Sequence, residues 1–240
     1  MSEAERRNHV ISASVPYMDY HTFDPHPDLA SLVKCYWTLR VPAQNNVQRQ
    51  LIIPDGCIEM AFIFGDLIKR YTSENDFIIG PRDVVIGQIT KTIYIEPTGY
   101  VDSFAVRFYP YGFANFVTTP INELANTETP LAALFGEEVA ESLARKMRDA
   151  SDAKTRISII EDFLVGRLSS KETVDRIVKT TMDTMFASHG GGSIKVMLND
   201  DPAKRRHLER EFKRKIGMSP KQLAKVIRLQ GALKRMLNRQ

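Results

Sequence analysis

The chain has 240 residues, of which 43% are hydrophobic and 26% are charged, a composition typical of packed globular proteins and not of disordered chains. No apolar run approaches the ~18 residues that a membrane-spanning helix needs, so no membrane partner is expected. Residues 193–240 carry 14 Lys and Arg against 4 Asp and Glu, whereas residues 1–192 carry 19 against 25. The basic segment indicates nucleic acid as a partner, with a solvated basic helix as the alternative.

The polar N-terminus lacks the apolar core of a signal peptide, so we predict a flexible segment over residues 1–20 and a cytoplasmic protein. Two cysteines are too few for a disulfide scaffold, and both are expected to be reduced.

Residues Leu29, Leu32, Val33 and Tyr36 have helical spacing, which predicts a short helix before the chain becomes extended near Trp37.

From residue 50 to residue 108 the sequence changes to short β-rich runs that end at Gly, Pro or Asp. Several short strands with this punctuation predict a small barrel or sandwich, within a β-rich domain over residues 21–125. The predicted strands are Leu51–Ile53, Ile58–Phe64, Phe77–Ile79, Val84–Ile86, Ile93–Ile95 and Ser103–Phe108.

After Pro110 the hydrophobic period becomes helical. Amphipathic helices are predicted over Glu137–Asp149, from Ile157 to Leu168 and from Val174 to Met185. They form a predicted helical connector, and a possible dimerisation region, over residues 126–188. Three consecutive glycines then break the pattern where the charge changes sign, which predicts a linker at residues 189–193.

The last segment, residues 194–240, reads as a helix, a tight turn and a basic helix. A short helix around Ile194 and Leu198 is followed by Asp201-Pro202, a strong signal for the start of a helix. The basic helix is predicted over Ala203–Lys215, with Leu208 and Phe212 as its buried stripe. Gly217 is placed to end it, and another helix opens at Ser219-Pro220. This order is typical of a helix-turn-helix.

Residues 206–212 read RHLEREF and residues 217–221 read GMSPK, with Arg228, Leu229 and Ala232 in the next helix. This resembles the first helix-turn-helix of AraC-type (AraC/XylS) transcription regulators, whose pattern is R-x-L-x-R-x-F followed by G-x-S-P. The runs LIIPDGCIEMAF, IIGPR and FAVRFYPYGFANFVTTPINEL resemble the cupin-like sensor domain of one group of these regulators. The implied fold class is α+β, with a β-rich cupin-like barrel followed by an α-helical connector and a helix-turn-helix unit.

The resemblance implies a homodimeric regulator that binds double-stranded DNA and responds to a small-molecule effector. It places Arg206 and Arg210 towards the bases, with Glu209 between them to accept a hydrogen bond from a cytosine amino group or to tune the pair. An ion pair of Arg210 with Glu209 or Glu211 is the alternative. The implied phosphate contacts are Lys204, Arg205, Lys213 and Arg214.

The sequence also departs from the family pattern. Pro202 replaces the usual turn glycine, Lys204 replaces the usual serine, and Leu198 is bulkier than the usual small residue. Family members continue into a second helix-turn-helix, whereas this sequence ends at Gln240, so the expectation is a truncated chain or a half-equipped reader. The alternative function is therefore a sensor that no longer reads DNA and dimerises with a full-length regulator.

Candidate effector contacts in the β-rich domain are Trp37, Glu59 and Arg107, although a single tryptophan is more often a core residue. Arg107 faces opposite to Val106, and it could pair with Glu59 or Asp102 or contact an anionic effector. None of the five histidines lies between residues 50 and 108, so a metal site of histidines and a carboxylate is not expected there. Motifs for nucleophiles, phosphates and dinucleotides are also absent from the sequence, and we expect neither catalysis nor a cofactor.

Overall fold

The computed structural model describes residues 18–44, 47–168, 176–193, 198 and 201–237. Most of the predicted flexible N-terminus and most of the predicted short helix around residues 194–198 therefore lie outside the described residues. Within the described residues, ten strands are followed by six α-helices, which agrees with the α+β class.

The strands form two antiparallel sheets, a six-stranded one in the order β1-β2-β9-β4-β7-β10 and a four-stranded one in the order β3-β8-β5-β6. In the described residues no strand pairing joins the two sheets. A closed barrel needs hydrogen-bonded neighbours all the way round, so the predicted barrel is corrected to two facing sheets with open edges. The strands are β1 (Asp19–Phe23), β2 (Val33–Val41), β3 (Gln50–Ile52), β4 (Ile58–Ile63), β5 (Ile68–Tyr71), β6 (Phe77–Ile79), β7 (Asp83–Ile86), β8 (Ile93–Pro97), β9 (Val101–Phe108) and β10 (Glu128–Pro130).

The predicted helix from Leu29 to Tyr36 is wrong, because residues 33–41 form β2, a strand paired on both sides with β1 and β9. Aromatic residues such as Tyr36 and Trp37, and β-branched ones such as Val33, suit a pleated sheet between two partners better than a helix. β1 begins at Asp19, so the end of the predicted flexible segment is part of the sheet. β5 and β10 were not predicted.

The six-stranded sheet separates two different environments, because alternate residues of each strand point to opposite faces. Tyr36, Phe62 and Phe104 lie in the main hydrophobic core on one face. Residues between them, such as Trp37, Ala61 and Ala105, lie on the other face, towards the four-stranded sheet. Sequence alternation alone thus determines which side chains can reach the space between the sheets.

The helices are α1 (Leu131–Phe135), α2 (Glu137–Asp149), α3 (Ala153–Val165), α4 (Arg176–Ala187), α5 (Pro202–Ile216) and α6 (Pro220–Leu237). Buried residues of α1, α2 and α3 cover the outer face of the six-stranded sheet. The α2 helix has the predicted limits. The α3 helix begins earlier than predicted because the Asp152 carboxylate accepts the Thr155 backbone N–H and caps it.

A second hydrophobic cluster joins α4, α5 and α6 through Val178, Met182, Phe212 and Leu223. Within the predicted linker at residues 189–193 only Gly190 is buried, whereas His189, Gly191 and Ser193 are exposed. There Gly190 packs on α6 so closely that a Cβ would lie 2.5 Å from the Ala224 carbonyl oxygen, and the Gly190 oxygen accepts a hydrogen bond from Arg228. Gly190 therefore permits a close contact with α6. The division into domains at these positions stays a prediction.

Candidate nucleic-acid interface and ligand cavity

The basic helix α5 has well-defined ends. The Asp201 carboxylate accepts the backbone N–H groups of Ala203 and Lys204, and Pro202 occupies the first turn. These contacts hold the pKa of the Asp201 carboxyl below its usual range. At the other end Gly217 adopts the left-handed conformation, with φ of 84°, and its N–H reaches the last turn of the helix. Both ends follow the sequence prediction.

The two faces of α5 differ sharply in character. Leu208, Phe212 and Ile216 are fully buried in the second cluster and fix the rotation of the helix. All seven residues assigned to DNA contact are exposed on the opposite side, namely Lys204, Arg205, Arg206, Glu209, Arg210, Lys213 and Arg214. The helix thus presents a predominantly basic surface while its apolar stripe is held by the protein.

Some of these charges are paired along the helix. Arg205 Nε donates to Glu209 Oε1 at 3.1 Å, so Glu209 does not lie as a bridge between Arg206 and Arg210. Arg210 Nη2 lies 3.0 Å from His207 Nδ1, and Arg210 Nε lies 3.6 Å from Glu211 Oε1. The alternative ion pair of Arg210 is therefore formed with Glu211.

Arg214 donates to Glu211 Oε2 at 2.9 Å, and Lys204 lies 3.7 Å from the capping Asp201. Arg206 and Lys213 form no ion pair with any residue that the structure describes. These two side chains are therefore the most available for an external anion.

Helix α6 rests on a turn of the two-sheet unit, Pro54–Gly56, which we call the PDG turn. Gln230 Nε2 donates to the Pro54 oxygen at 2.8 Å. Gly56, with φ of 80°, approaches Leu223 so closely that a Cβ would lie 3.1 Å from the leucine methyl. The buried Gln88 side chain donates to the Gly56 oxygen at 2.6 Å.

The other side of the PDG turn lines a cavity of about 190 Å³ between the two sheets. Asp55 and Cys57 contribute to its wall together with all three residues predicted to contact an effector, Trp37, Glu59 and Arg107. The structure therefore brings these three together, although strand β2 supplies Trp37, β4 supplies Glu59 and β9 supplies Arg107.

Register explains why Arg107 pairs with Glu59 and not with Asp102. Glu59 lies directly opposite Arg107 across the β4–β9 pair, whereas Asp102 lies opposite Arg40 near the other end of β9. Arg107 Nε donates to Glu59 Oε1 at 2.8 Å, Nη2 donates to the same oxygen, and Nη2 lies 3.7 Å from Asp55 Oδ2. Trp37 Nε1 donates to Glu59 Oε1 at 3.0 Å.

Burial controls the electrostatics of this network. It raises the pKa of Glu59 to about 8, with the nearby Asp55 carboxylate adding to the rise. Burial also lowers the pKa of Arg107 to about 9, which still leaves the guanidinium charged at neutral pH. The same desolvation raises the pKa of the Cys57 thiol. Both cysteines are buried and not bonded to each other.

Sequence reasoning missed Asp55 and Gln88. In the sequence Pro54-Asp55-Gly56 favours a structural turn over an effector contact. Asp55 accepts the Cys57 N–H at 2.9 Å in that turn, and its carboxylate also contacts Arg107. The only signal for Gln88 was a polar side chain two positions after the apolar run Val84–Ile86. In the described part of the chain, no group of three His, Cys, Asp or Glu side chains has the geometry of a metal site.

Residues 21–130 match a family described as "Domain of unknown function (DUF6597)". No protein with a curated description matches the chain. None of the described helices combines the length and hydropathy needed to cross a membrane.

Among solved structures, an HTH_3 family transcriptional regulator from Vibrio cholerae is 16% identical, with 40% of this chain and 55% of that chain covered and a TM-score of 0.29. FeII HppE is also 16% identical, over 41% of this chain and 55% of that chain, with a TM-score of 0.29. This chain thus spans about half the length of both. The AraC-like transcriptional activator CuxR is 9% identical, over 98% of this chain and 89% of that chain, with a TM-score of 0.34. The structural neighbours of this chain therefore include AraC-like and HTH_3 transcriptional regulators.

Proposed function

We propose that this protein is a cytoplasmic transcription regulator that binds double-stranded DNA as a homodimer and responds to a small molecule in the cavity. The observation that carries the proposal is the exposed basic face of α5, held outward by its buried stripe. Seven Lys and Arg stand on this helix against two Glu, within residues 202–216. An α-helix about 10–12 Å wide fits the major groove, which is about 12 Å wide.

The roles of individual side chains follow from their contacts. Arg206, exposed and outside the ion pairs of the helix, is assigned to a guanine edge, which a guanidinium can contact through two parallel hydrogen bonds. Lys213 has the same freedom one turn from the helix end and is assigned to a phosphate. Arg210 would exchange its contacts with His207 and Glu211 for a base.

The PDG turn supports a response to a ligand. It forms part of the cavity wall through Asp55 and contacts α6 through Pro54 and Gly56. A ligand that shifts the Asp55 side chain would therefore act on a turn that also contacts α6. Such a shift changes DNA affinity only if the ligand binds the two arrangements unequally.

Dimerisation completes the proposal because one helix offers a small interface. Single DNA-binding modules bury about 600–1,000 Å² of protein surface, and two copies on adjacent half-sites multiply their affinities. A chain of this charge would bind a single half-site weakly and with strong salt dependence.

A second candidate is a regulator that no longer reads DNA and acts by dimerising with a full-length relative. The ion pairs along α5 favour it, because Arg205 and Arg214 are already engaged by Glu209 and Glu211. Under this candidate the basic face of α5 is a solvated surface, and the cavity still binds the small-molecule effector.

Selection of the full chain against a random duplex library tests the two candidates. The proposal expects one enriched motif, lost in the double variant Arg206→Ala/Arg210→Ala and retained in Lys154→Ala, which removes a charge from an exposed site on α3. Binding without enrichment would contradict sequence reading. Absence of binding, with both variants folded, would favour the second candidate.

A further inference from the structure

The cavity between the sheets has two chemically distinct ends. Eight isoleucines belong to its lining, which makes most of the wall aliphatic. An apolar cavity of about 150 Å³ is enough to hold a benzene ring, so the 190 Å³ here suits a slightly larger molecule. The other end is polar and contains Asp55, Glu59 and Arg107. A ligand that fits both ends has an apolar body and one polar head.

The contacts of Arg107 decide against an anionic head. Its guanidinium donates twice to Glu59 and lies within ion-pair distance of Asp55, so two carboxyl groups already contact it. A third carboxylate at this point would approach both of them in a poorly solvated site, where like charges repel strongly. Glu128 also lines the cavity, so three carboxyl groups stand against the Arg107 guanidinium in the described lining and the Lys34 ammonium near Glu59.

The same end offers what a cationic head requires. Each carboxylate oxygen can accept more than one hydrogen bond, so an ammonium group adds donors to the existing network without replacing Arg107. The rings of Tyr20 and Trp37, with centroids 6.1 Å apart, also line the cavity, and Trp37 is tied to the Glu59 carboxylate. Aromatic faces beside carboxylates are a common environment for organic cations.

We propose that the cavity binds a small organic ammonium compound, with its hydrocarbon body against the isoleucines and its charged nitrogen at the Asp55–Glu59 end. This inference rests on the proposed function only in treating the cavity as the effector site. It adds the chemical class of the effector, which differs from the anionic effector considered for Arg107 from the sequence.

Protonation provides an independent signature of this binding. An ammonium favours the ionised Glu59, so its affinity rises from pH 6.5 to pH 8.5, whereas the affinity of an anion falls. Glu59 is the group expected to titrate in this range because burial raises its pKa. The other charged or titratable groups around it are Asp55 in the PDG turn, Arg107 on β9, Tyr20 on β1, Lys34 and Cys35 on β2, Cys57 beside β4 and Glu128 on β10.

The test uses three probes of one chain length, hexylammonium, hexanol and hexanoate, titrated into the full-length chain. Trp37 is the only tryptophan and lines the cavity, so its fluorescence reports the site directly. We expect hexylammonium to bind at least tenfold more tightly than the other two at pH 8.5, above the raised pKa of Glu59. Equal binding of all three, tighter binding of hexanoate, or no saturable signal with any probe would overturn the inference.

Two variants locate the binding. Asp55→Asn keeps a side-chain acceptor for the Cys57 N–H and removes one charge, and we expect the preference for hexylammonium over hexanol to fall at least threefold. Asp66→Asn makes the same change in an exposed turn outside the cavity and should leave the preference unchanged. A preference unaffected by Asp55→Asn, in a protein with an unchanged melting temperature, would contradict the assignment of the head group.

DNA binding of the same samples separates the inference from the proposed function. Failure of the probes in a chain that still enriches a duplex motif overturns only the ammonium assignment. Selective binding of hexylammonium in a chain without DNA affinity supports the assignment and overturns the regulatory role.

Discussion

Arg107 and Glu59 form the most consequential contact in the structure, because this ion pair lies at the polar end of the cavity and neither side chain is well exposed. A buried charge is tolerated only where partners and hydrogen bonds replace water. Three donors converge on Glu59 Oε1, one from Trp37 and two from Arg107. The network therefore fixes three strands at one point as well as shaping a ligand site.

Stability should depend on pH through Glu59. A carboxyl whose pKa rises on folding binds a proton more tightly in the folded state, so folding stability falls as pH rises from its ordinary value of 4.5 towards about 8. Urea unfolding at pH 5.5, 6.5 and 7.5 measures this slope. In Glu59→Gln the contribution should disappear and the slope should flatten. An identical slope in the two proteins would contradict the assignment.

Two glycines give a matched pair of backbone predictions. Gly217→Ala should destabilise the protein by about 1–2 kcal/mol, since φ is 84° and a Cβ would lie 3.0 Å from the Ile121 methyl. Gly231→Ala, in the interior of α6 with no atom within 4 Å of its Cβ, should stabilise the protein by roughly 0.5–1 kcal/mol. Thermal and urea unfolding check both values. Changes of the same sign at the two positions would contradict the account.

At the scale of the element, α5 separates stability from recognition by its two faces. Buried Phe212 and exposed Arg206 lie on the same helix, so their substitutions should have unrelated effects. Phe212→Ala removes a core side chain and should cost about 3–5 kcal/mol of stability. The exposed basic residues should contribute little to stability and most of the DNA affinity.

The exposed face also predicts two kinds of DNA defect. Arg206→Ala should weaken binding of the selected duplex by about 1–3 kcal/mol and relax preference at one base position, with little effect on other sequences. Lys213→Ala should weaken binding to all duplexes alike and reduce the salt slope by about 1. Affinity measurements on the selected and a scrambled duplex distinguish the two. Equal losses on every sequence from both changes would contradict the assigned roles.

Local periodicity predicted the elements that are bounded by their own sequence. The spacing of Leu143 and Met147, both buried, is that of the amphipathic helix α2, and the limits of α5 follow from the Asp201 cap and Gly217. β2 was mistaken for a helix at its start because Leu29, Leu32, Val33 and Tyr36 have helical spacing, whereas the strand depends on partners more than 60 residues away. Short apolar runs are ambiguous until such partners are known.

The candidate site was predictable in residue type but not in geometry. Residues two apart, such as Cys57 and Glu59, point to the same face of an extended chain, and both line the cavity. The choice of Glu59 over Asp102 for Arg107 depends on the β4–β9 register, which is set by pairing across the sheet. The contact between the PDG turn and α6 joins positions more than 160 residues apart, and no local pattern encodes it.

At the scale of the whole molecule, the PDG turn and Gln88 join the two hydrophobic clusters. Gln88 is fully buried, and its hydrogen bond to Gly56 supports the turn on which Leu223 rests. The Gln88 side chain also packs against Gly217, which ends the basic helix α5, because a Cβ there would lie 3.3 Å from Gln88 Cγ. A movement of this turn would therefore be transmitted to the end of α5 through Gln88 and to α6 through Leu223.

Removal of the Gln88 side chain should loosen this joint. Gln88→Ala leaves a buried Gly56 carbonyl without its donor, which typically costs about 1–3 kcal/mol. Amide hydrogen exchange should accelerate in residues 54–57 and in the first turns of α6. Asn75→Ala, in an exposed turn of the two-sheet unit, serves as the control. Faster exchange in the turn alone, with α6 unchanged, would contradict the proposed joint.

The central claim is that the outward face of α5 binds DNA, and the salt dependence of binding tests it most directly. Four assigned phosphate contacts predict that the logarithm of the association constant falls with the logarithm of salt concentration with a slope of about −3.6 per bound chain. Titration of the full chain with its selected duplex between 50 and 200 mM salt measures this slope. A slope near −3.6 that becomes shallower by about 1 in Lys213→Ala is the predicted result. A slope near zero, or one that Lys213→Ala leaves unchanged, would contradict the assignment of α5 as the DNA-binding element.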